Sequence, residues 1–343
     1  MPNAYISGTG SFVPPRVVTN DELIKQYGID TTDEWIIQRT GIRERRFAEP
    51  GVFCTDLALP AAQQAIERAG LQPHDLDMII YATLSSDHCF PGSGVYLQRK
   101  LGLCEGPNAK FVPALDVRNQ CSGFLYSLAT ATSMVKSGGA KHVLVVGAEL
   151  HSAALDLTTR GRTVASLFGD GAGAVVVSAT DEDRGIRSWN LGADGRYADV
   201  LAQKIWDISK RPFIPQNEQG IGQLAPEMMY ALMDGKLVFK NAVERMMTVL
   251  MEACVKNGIT GADIDLFCFH QANLRINQWL QQHLGIPDEK VVHNIQRYGN
   301  TTAATIPILL AEAERDGKLK KGMKVAMIAF GSGFTWGCVI ADW

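Results

Sequence analysis

The chain has 343 residues, 46% of them hydrophobic and 20% charged, a composition typical of a globular protein with enough core for two domains. Its formal net charge of −3 and isoelectric point near 6.2 show no excess of positive charge, which binding to nucleic acid or an acidic membrane surface would favour. Residues 1–8 show no signal-peptide pattern, and no apolar stretch is long enough to span a bilayer. We therefore expect a cytoplasmic protein without membrane or nucleic-acid partners.

The seven cysteines are odd in number, widely spaced and without a CxxC pair. This pattern indicates neither a zinc site nor a disulfide framework. We therefore expect free thiols in a reducing compartment and no bound metal.

The first candidate binding element is an amphipathic segment over residues 33–46 that becomes strongly basic at its end. Trp35 and Arg39 are four residues apart, so a helix places the indole and the guanidinium on one face. Such a platform suits an adenine ring and phosphates. A tryptophan packed beneath an arginine stem on a solvated surface is nevertheless the commoner arrangement.

Helices alternate with apolar strands through the first half of the chain. A helix over 55–68 precedes a strand over 78–82, and further strands follow over 142–149 and 172–177. Near-continuous apolar strands indicate a sheet that is covered on both faces. The pattern predicts an α/β fold.

Residues 114–124 end one strand and begin a helix, with Cys121 at the first helical turn. Unpaired backbone N–H groups and the helix dipole favour a thiolate there, so we expect a lowered thiol pKa and a nucleophilic cysteine. Free cysteines are more often buried packing residues. The position alone does not establish a nucleophile.

The chain contains two copies of one α/β unit. A glycine, an aspartate and an apolar strand recur with the same spacing, at Gly70, Asp77 and 78–82 and again at Gly258, Asp265 and 266–269. We expect two halves, 1–180 and 181–343. The segment over residues 194–226 is longer and less periodic than the segments around it, which is typical of a covering loop.

Superposing the two copies places Cys121 close to Asn300 and the end of the strand before Thr83 opposite His270. Two-fold duplicates bring equivalent helix N-termini near their shared axis. The repeat therefore predicts that Cys121, His270 and Asn300 converge in space.

A cysteine, a histidine and an asparagine in one cleft can together carry out acyl transfer and enolate chemistry. The thiolate of Cys121 can take an acyl group from a thioester. A neutral imidazole N–H from His270 and the amide of Asn300 can both donate to one carbonyl oxygen, which stabilises an enolate formed by decarboxylation. These steps need no metal or redox cofactor.

Five motifs, in order along nearly the whole chain, resemble the β-ketoacyl-acyl-carrier-protein synthase III family of the thiolase superfamily. They are Cys121-Ser122-Gly123-Phe124, residues 168–174, residues 270–275, Gly299-Asn300-Thr301 and residues 330–337. The resemblance implies a thiolase-like fold with two pseudo-symmetric α/β halves in a layered αβαβα arrangement. It also implies a homodimer, which the apolar strand over 143–146 would form by pairing across a two-fold axis.

The resemblance further implies a role for each reactive residue. Cys121 would be acylated by an acyl-CoA, and His270 and Asn300 would promote decarboxylation of a malonyl-carrier protein. The enolate would then attack the acyl-cysteine to give a β-ketoacyl thioester, which initiates fatty-acid synthesis. The backbone N–H groups of Cys121 and Ser332 would hold the oxyanion, and Phe330 would shield the thiol.

Further contacts follow from the same resemblance. They are Trp35, Arg39 and Arg162 for coenzyme A, Lys240 and Arg275 for the acidic carrier protein, and Phe90, which would reach across the dimer to close the acyl pocket.

Several positions depart from the family pattern and leave the primer and the carrier-protein contact open. Residues 118–120 replace small residues before the nucleophile, Lys236 stands where an asparagine is common, and Gln282 replaces a basic residue. The closest competing function is the same chemistry with a non-acetyl primer or malonyl-CoA, as in quinolone or polyketide synthesis.

A thiolase and a non-catalytic partner subunit both fit the sequence less well. A thiolase uses a second cysteine near the C-terminal glycine loop, whereas Cys338 lies several residues beyond it in a strand-like run. A non-catalytic subunit would usually have lost the nucleophile, but Cys121, His270 and Asn300 are all present.

Overall fold

The fold was analysed in a computed structural model, which describes residues 2–205, 209, 216–217, 220–221 and 226–343. The strands are β1 (Asn3–Phe12), β2 (Val17–Thr19), β3 (Glu44–Arg46), β4 (Met78–Ala82), β5 (Ala114–Val117), β6 (His142–Glu149), β7 (Gly171–Thr180), β8 (Gly185–Ala193), β9 (Leu201–Ala202), β10 (Gln216–Asn217), β11 (Gly220–Ile221), β12 (Leu232–Met233), β13 (Leu266–Phe269), β14 (Lys324–Gly331) and β15 (Thr335–Asp342). The α-helices are α1 (Asn20–Tyr27), α2 (Asp33–Thr40), α3 (Cys54–Arg68), α4 (Ser93–Lys100), α5 (Gly123–Lys136), α6 (Arg162–Ala165), α7 (Pro226–Met229), α8 (Gly235–Asn257), α9 (Leu274–His283), α10 (Ile295–Tyr298) and α11 (Thr305–Arg315).

Two sheets of matching topology form the framework. The first has the order β1-β7-β6-β4-β5, and the second has the order β13-β14-β15-β8. In each sheet the central parallel pair, β4 with β6 or β13 with β14, continues into antiparallel strands. An isolated parallel bridge between Phe267 and Val291 occupies the place in the second sheet that β5 has in the first.

The sheets enclose two internal helices, α5 and α11, and carry further helices on their outer faces. Strand β6 shows why, because Val143 and Val145 point into the internal core while Leu144 and Val146 point towards α3. Strand β6 is therefore buried on both faces, as its run of apolar residues predicts. On the outer face of the second sheet, α8 and α9 pack against the alternate residues of β13 and β14.

The internal repeat is confirmed at the level of hydrogen bonds. Gly70 and Gly258 both take a left-handed conformation just after a helix, with φ of 70° and 64°. Asp77 accepts a hydrogen bond from the backbone N–H of Lys141 at 2.8 Å. Asp265 accepts one from the backbone N–H of Lys324 at 2.7 Å. The repeated residues thus have the same structural task in both copies.

The exact correspondence between the copies differs from the sequence-based superposition. Helix α5 is preceded by a 3₁₀ turn over Gln120–Ser122, and α11 is preceded by one over Thr302–Ala304. Gln120 and Thr302 open these turns with positive φ of 48° and 49°. Cys121 therefore corresponds to Ala303, and Asn300 lies three residues earlier in its copy.

The prediction that residues 143–146 pair across a dimer axis is wrong. These residues belong to β6, which lies between β4 and β7 in the interior of the first sheet. Both of its edges are already occupied, so a partner strand has no free backbone to bond. Strand β5 instead forms an edge of this sheet. None of the helices within the described ranges is long and apolar enough to cross a membrane.

Close packing between the copies gives a test of the fold. A methyl group added at Gly147 of β6 would lie 2.2 Å from the carbonyl oxygen of Ala303, which is a backbone atom that cannot rotate away. We expect Gly147→Ala to destabilise the protein by at least about 2 kcal/mol, because overpacking forces the backbone to shift. Gly139→Ala is the control, since its methyl group would meet nothing closer than 3.5 Å. Urea denaturation of both variants measures the difference, and equal stability would contradict this packing.

Candidate active site

Cys121 lies in the middle of the 3₁₀ turn that links β5 to α5, and it is 8% exposed. Hydrogen bonds tie this turn to the loop after β14. The hydroxyls of Ser122 and Thr335 are 2.7 Å apart, and Thr335 Oγ1 donates to the carbonyl of Ser332 at 3.0 Å. The turn that carries the thiol and the glycine loop are therefore held against each other.

Gly331 makes the closest approach to the thiol-bearing residue. A methyl group added there would lie 2.9 Å from Cβ of Cys121 and 3.0 Å from its backbone nitrogen. Real Cβ atoms essentially never come this close, so only glycine fits at this position. The absence of a side chain at Gly331 therefore lets the glycine loop pack directly against Cys121.

The prediction of a lowered thiol pKa is wrong for the substrate-free protein. Burial raises the pKa of the Cys121 thiol to about 12, and the negative charge of Glu149 adds to the rise. Removing the thiolate from water outweighs the local stabilisation expected at a helix start. In the substrate-free protein Cys121 is therefore a neutral thiol.

His270 follows the last residue of β13, and its backbone N–H donates to the carbonyl of Ile328 at 2.7 Å. Its Nδ1 lies 2.6 Å from Thr305 Oγ1 at the start of α11. Its Nε2 is buried without a hydrogen-bond partner among the described residues. Burial lowers the pKa of His270 to about 3, so the ring is neutral at physiological pH.

Asn300 is fixed from both sides of its backbone and at its side chain. Its N–H donates to the carbonyl of Leu167 at 2.8 Å, and its carbonyl accepts from the N–H of Gly169 at 3.2 Å. Its Oδ1 accepts from the backbone N–H of Thr302 at 2.8 Å. This last bond leaves Nδ2 as the amide's donor, and Nδ2 has no hydrogen-bond acceptor among the described residues.

Two cavities meet at this centre. The smaller one, of about 110 Å³, is lined by Leu167, Phe168, Leu201, Met233, Gly235, Val238, Phe239, Ala242, Met246, His270, Ala272, Asn273, Ile276, Asn300, Phe330 and Gly331. The larger one, of about 400 Å³, is lined by Leu84, Ser85, Arg118, Gln120, Leu150, His151, Ala154, Leu155, Asp156, Val164, Phe168, Ala198, Leu201, Ala202, Gln203, Ile205, Tyr230, Ala231, Thr302, Ser332 and Gly333. Phe168 and Leu201 line both cavities and so stand between them. We call the smaller one the dyad cavity, after His270 and Asn300 in its wall, and the larger one the distal cavity.

The three residues predicted to hold coenzyme A lie together. The guanidinium of Arg39 is 4.8 Å from the ring centroid of Trp35, and that of Arg162 is 6.0 Å from it. Arg162 also donates to the carbonyl of Asp30 at 2.8 Å. Trp35 packs against a small buried cluster that includes Leu167, and Leu167 lines the dyad cavity. An aromatic ring between two cations thus lies beside that cavity.

The remaining residues predicted from the resemblance lie partly in the cavity walls and partly on the surface. Phe330 is buried in the wall of the dyad cavity, and the hydroxyl of Ser332 donates to the carbonyl of Leu201. Lys240 is exposed on α8. Phe90 is 82% exposed.

Arg275 has a task that the sequence does not reveal. Its Nε donates to the carbonyl of Gln38 at 2.8 Å and its Nη2 to that of Ile37 at 2.9 Å. Both carbonyls lie in the last turn of α2, so the guanidinium caps the helix that carries Trp35 and Arg39.

Several residues of the centre were missed from the sequence. His151 Nε2 lies 2.5 Å from Thr302 Oγ1 in the wall of the distal cavity. Glu149 is fully buried at the end of β6, accepts from Ser85 Oγ at 2.6 Å, and has its pKa raised to about 7 by burial. No local sequence signal marks these residues, because tertiary packing brings them together.

Cys338, the second cysteine that a thiolase would need, is fully buried in β15 and lines neither cavity. It packs in the outer core beneath α8 and α9. Cys338 is therefore a packing residue of that core.

Comparisons with known proteins agree with this geometry. Residues 115–195 match the family model described as 3-Oxoacyl-[acyl-carrier-protein (ACP)] synthase III, and residues 254–343 match the model of its C-terminal region. The Beta-ketoacyl-[acyl-carrier-protein] synthase III of Laribacter hongkongensis (strain HLHK9) is 44% identical over 340 residues, which covers 99% of both chains.

Solved structures extend the similarity to the fold. The 3-oxoacyl-[acyl-carrier-protein] synthase III of Aquifex aeolicus VF5 is 41% identical with a TM-score of 0.86, covering 99% of this chain and 100% of that one. A priming β-ketosynthase of the R1128 polyketide pathway is 33% identical with a TM-score of 0.86, covering 99% and 96%.

The two-sheet framework with a buried cysteine, histidine and asparagine defines a condensing enzyme of thiolase-like fold, an acyltransferase. More narrowly, the chain belongs to the β-ketoacyl-acyl-carrier-protein synthase III family.

The contact at Gly331 predicts a loss of activity together with a loss of stability. A methyl group in Gly331→Ala would press on Cys121, so we expect the rate of thiol acylation to fall about 100-fold and the protein to be destabilised by about 1–3 kcal/mol. Gly195→Ala is the control, because its methyl group would meet no atom within 4 Å. Intact-mass spectrometry measures acylation. Wild-type acylation by Gly331→Ala would contradict the described contact.

The raised thiol pKa predicts a characteristic pH dependence. Alkylation requires the thiolate, whose fraction rises about tenfold per pH unit below the pKa. Since the pKa of Cys121 is about 12, we expect its reaction with iodoacetamide to accelerate from pH 7 to pH 10 without a plateau. Peptide mass spectrometry follows the residue, with Cys121→Ala as the blank. A plateau below pH 8 would instead indicate the lowered pKa that the helix start suggests.

Proposed function

We propose that the protein condenses an acyl-CoA primer with malonyl-acyl carrier protein, forming a β-ketoacyl thioester in the initiation of fatty-acid synthesis. One structural observation gives this proposal its main support. His270 and Asn300 line the same cavity as Gly331, and Gly331 touches Cys121. A nucleophile thus adjoins two groups suited to hold a carbonyl oxygen.

Acylation is the first step. The sulfur of Cys121 forms a bond to the primer's carbonyl carbon, the bond from that carbon to the coenzyme A sulfur breaks, and the thiol proton ends on coenzyme A. The backbone N–H groups of Cys121 and Ser332 hold the oxyanion of the tetrahedral intermediate. Because Cys121 is a neutral thiol at rest, it must lose its proton during the reaction with bound substrate.

Condensation is the second step. The malonyl group loses CO₂, and the resulting enolate oxygen lies against His270 and the Nδ2 group of Asn300. The enolate carbon attacks the acyl carbon on Cys121, and the carbon–sulfur bond breaks. The released sulfur takes up one proton. The two thioester substrates and this proton balance the reaction, so no cofactor enters it.

The two cavities support separate places for the substrate parts. Trp35, Arg39 and Arg162 lie beside the dyad cavity, so coenzyme A or the carrier's pantetheine arm enters there. The distal cavity, on the far side of Phe168 and Leu201, receives the primer's acyl chain. Its volume of about 400 Å³ exceeds the need of an acetyl group.

Two macromolecular contacts belong to the proposal. The carrier protein docks near Lys240 and Arg275, whose positive charge complements an acidic partner. A homodimer forms along the edge strand β5, where Phe90 and Phe111 are 82% and 80% exposed and Leu115 is 39% exposed. We place this dimer in the cytoplasm.

The division into halves 1–180 and 181–343 is also part of the proposal. All strands of the first sheet lie between Asn3 and Thr180, and those of the second lie between Gly185 and Asp342. Leu201 supports a covering role for residues 194–226, because it lines both cavities. Residues 206–208, 210–215, 218–219 and 222–225 of that loop lie outside the described residues.

A second candidate function is priming of a specialised metabolite with a larger acyl group. The volume of the distal cavity favours it. The chemistry at Cys121 would be the same, and only the primer or the malonyl donor would differ.

One experiment separates these functions. The protein is incubated with acyl-CoAs from acetyl to dodecanoyl and then with malonyl-carrier protein or malonyl-CoA, while intact mass is recorded. Labelling by short primers and discharge by malonyl-carrier protein would support fatty-acid initiation. Labelling only by longer or aromatic primers, with discharge by malonyl-CoA, would support the second candidate. No labelling of wild type beyond that of Cys121→Ala would refute both and indicate a non-catalytic subunit.

The coenzyme A platform makes its own prediction. Arg39→Ala removes a cation from the face of Trp35, so we expect KM for acyl-CoA to rise about 10-fold while kcat changes less than about 3-fold. Arg184→Ala is the matched control, because Arg184 lies 4.0 Å above the ring of Tyr5. Steady-state kinetics test this, and an unchanged KM in Arg39→Ala would remove Arg39 from the site.

A further inference from the structure

The state of one proton on His270 decides what this residue can do. Burial keeps the ring neutral, so it carries a single N–H, on either Nδ1 or Nε2. His270 lines the dyad cavity, and of its two ring nitrogens only Nε2 is unpaired among the described residues, since Nδ1 is occupied by Thr305. If the proton sits on Nε2, His270 donates to a substrate oxygen. If it sits on Nδ1, His270 offers only a lone pair there.

Thr305 contacts the other nitrogen with a short bond. Its Oγ1 lies 2.6 Å from Nδ1 of His270, and both residues are buried. This length fits a hydroxyl that donates better than an imidazole N–H that donates, because bonds with N–H donors are typically about 2.9 Å long. The hydroxyl's other acceptor, the carbonyl of Thr302, is farther away at 3.0 Å.

We propose that Thr305 is a positioning residue: its hydroxyl donates to Nδ1 of His270 and so keeps the ring proton on Nε2, facing the substrate. This inference rests on the proposed condensation and specifies how its second step is prepared. Thr305 touches no reacting atom and acts only through His270.

The neighbouring asparagine is oriented in the same sense. The backbone N–H of Thr302 donates to Oδ1 of Asn300 at 2.8 Å, which turns Nδ2 away as the free donor. Thr302 opens the turn before α11 with a positive φ of 49°, which is a costly conformation for a β-branched residue. Residues at the start of α11 thus orient both donors, Nε2 of His270 and Nδ2 of Asn300. The malonyl carbonyl then meets two N–H groups at once.

The two half-reactions give the test. Thr305→Val preserves the shape of the side chain but removes the hydroxyl that holds the tautomer. We expect Cys121 acylation by acyl-CoA to stay within about 3-fold of wild type, and discharge of the acyl-enzyme by malonyl-carrier protein to slow about 100-fold. Thr305→Ser restores the hydroxyl, so its discharge rate should return to within about 5-fold of wild type. Rapid-quench intact-mass spectrometry measures both steps.

Thr132→Val is the matched control for loss of a buried helical hydroxyl. Thr132 Oγ1 donates to the carbonyl of Leu128 at 2.7 Å within α5, and its hydrogen bond does not involve His270. We expect wild-type rates in both half-reactions. This variant reports what a buried threonine-to-valine change costs by itself.

A direct measurement of the proton completes the test. In protein labelled with ¹⁵N-histidine, long-range ¹H–¹⁵N spectra assign the tautomer, and the resonances missing from His270→Ala identify the residue. We expect the Nε2–H form in wild type and a shift towards Nδ1–H in Thr305→Val. The proposal is overturned if wild type carries the proton on Nδ1, if Thr305→Val discharges normally or loses both half-reactions equally, or if Thr305→Ser is as slow as Thr305→Val. Failure of the proposed function is distinct, because wild type would then either acquire no acyl group or keep that group when malonyl-carrier protein is added.

Discussion

Backbone-to-backbone contact between the two copies is the constraint on which the site depends. The turns at Gln120–Ser122 and Thr302–Ala304 pack against each other at the centre of the molecule. Gly147 and Gly331 permit this, because a side chain at either position would strike Ala303 or Cys121. Reactive groups from distant parts of the sequence are thereby brought to one place by packing alone, with strained backbone at the start of each turn.

Burial of this centre determines its electrostatics. Cys121 is held as a thiol and His270 as a neutral imidazole, and Glu149 is a carboxyl whose pKa is raised to about 7. A buried site whose cysteine and histidine are uncharged suits donation to a developing enolate, since hydrogen bonds are stronger away from water. The cost is that the nucleophile is not pre-ionised.

Much of the framework could be predicted from local patterns. The helix over 55–68 and the strand over 78–82 agree with the structure to within a residue, because spacing and terminal glycines mark them. The segment over 33–46 was too long, since Gly41 ends the helix with φ of 78° and the chain then forms β3. The position of β6 inside its sheet could not be predicted, because strand order depends on long-range pairing that no local pattern encodes.

Some features of the site could also be predicted from the sequence, and others depend on tertiary packing. The repeat predicts that Cys121, His270 and Asn300 converge in space. In the structure Cys121 lies against Gly331, which lines the same cavity as His270 and Asn300, and the alignment of the repeat is three residues off at Asn300. The sign of the Cys121 pKa shift was wrong because a rule about helix ends carries no information on burial. Thr305 and Leu201 lie in stretches without any signature, and only the tertiary structure shows what they contact.

The most direct test of the central claim is a single-turnover experiment on wild type and the double variant His270→Ala/Asn300→Ala. Each is mixed first with acyl-CoA and then with malonyl-carrier protein, and the mass of the acyl-enzyme is followed in time. If Cys121 is the nucleophile and the other two residues serve the enolate, the double variant acquires the acyl group and does not discharge it. Discharge at the wild-type rate would contradict that division of roles.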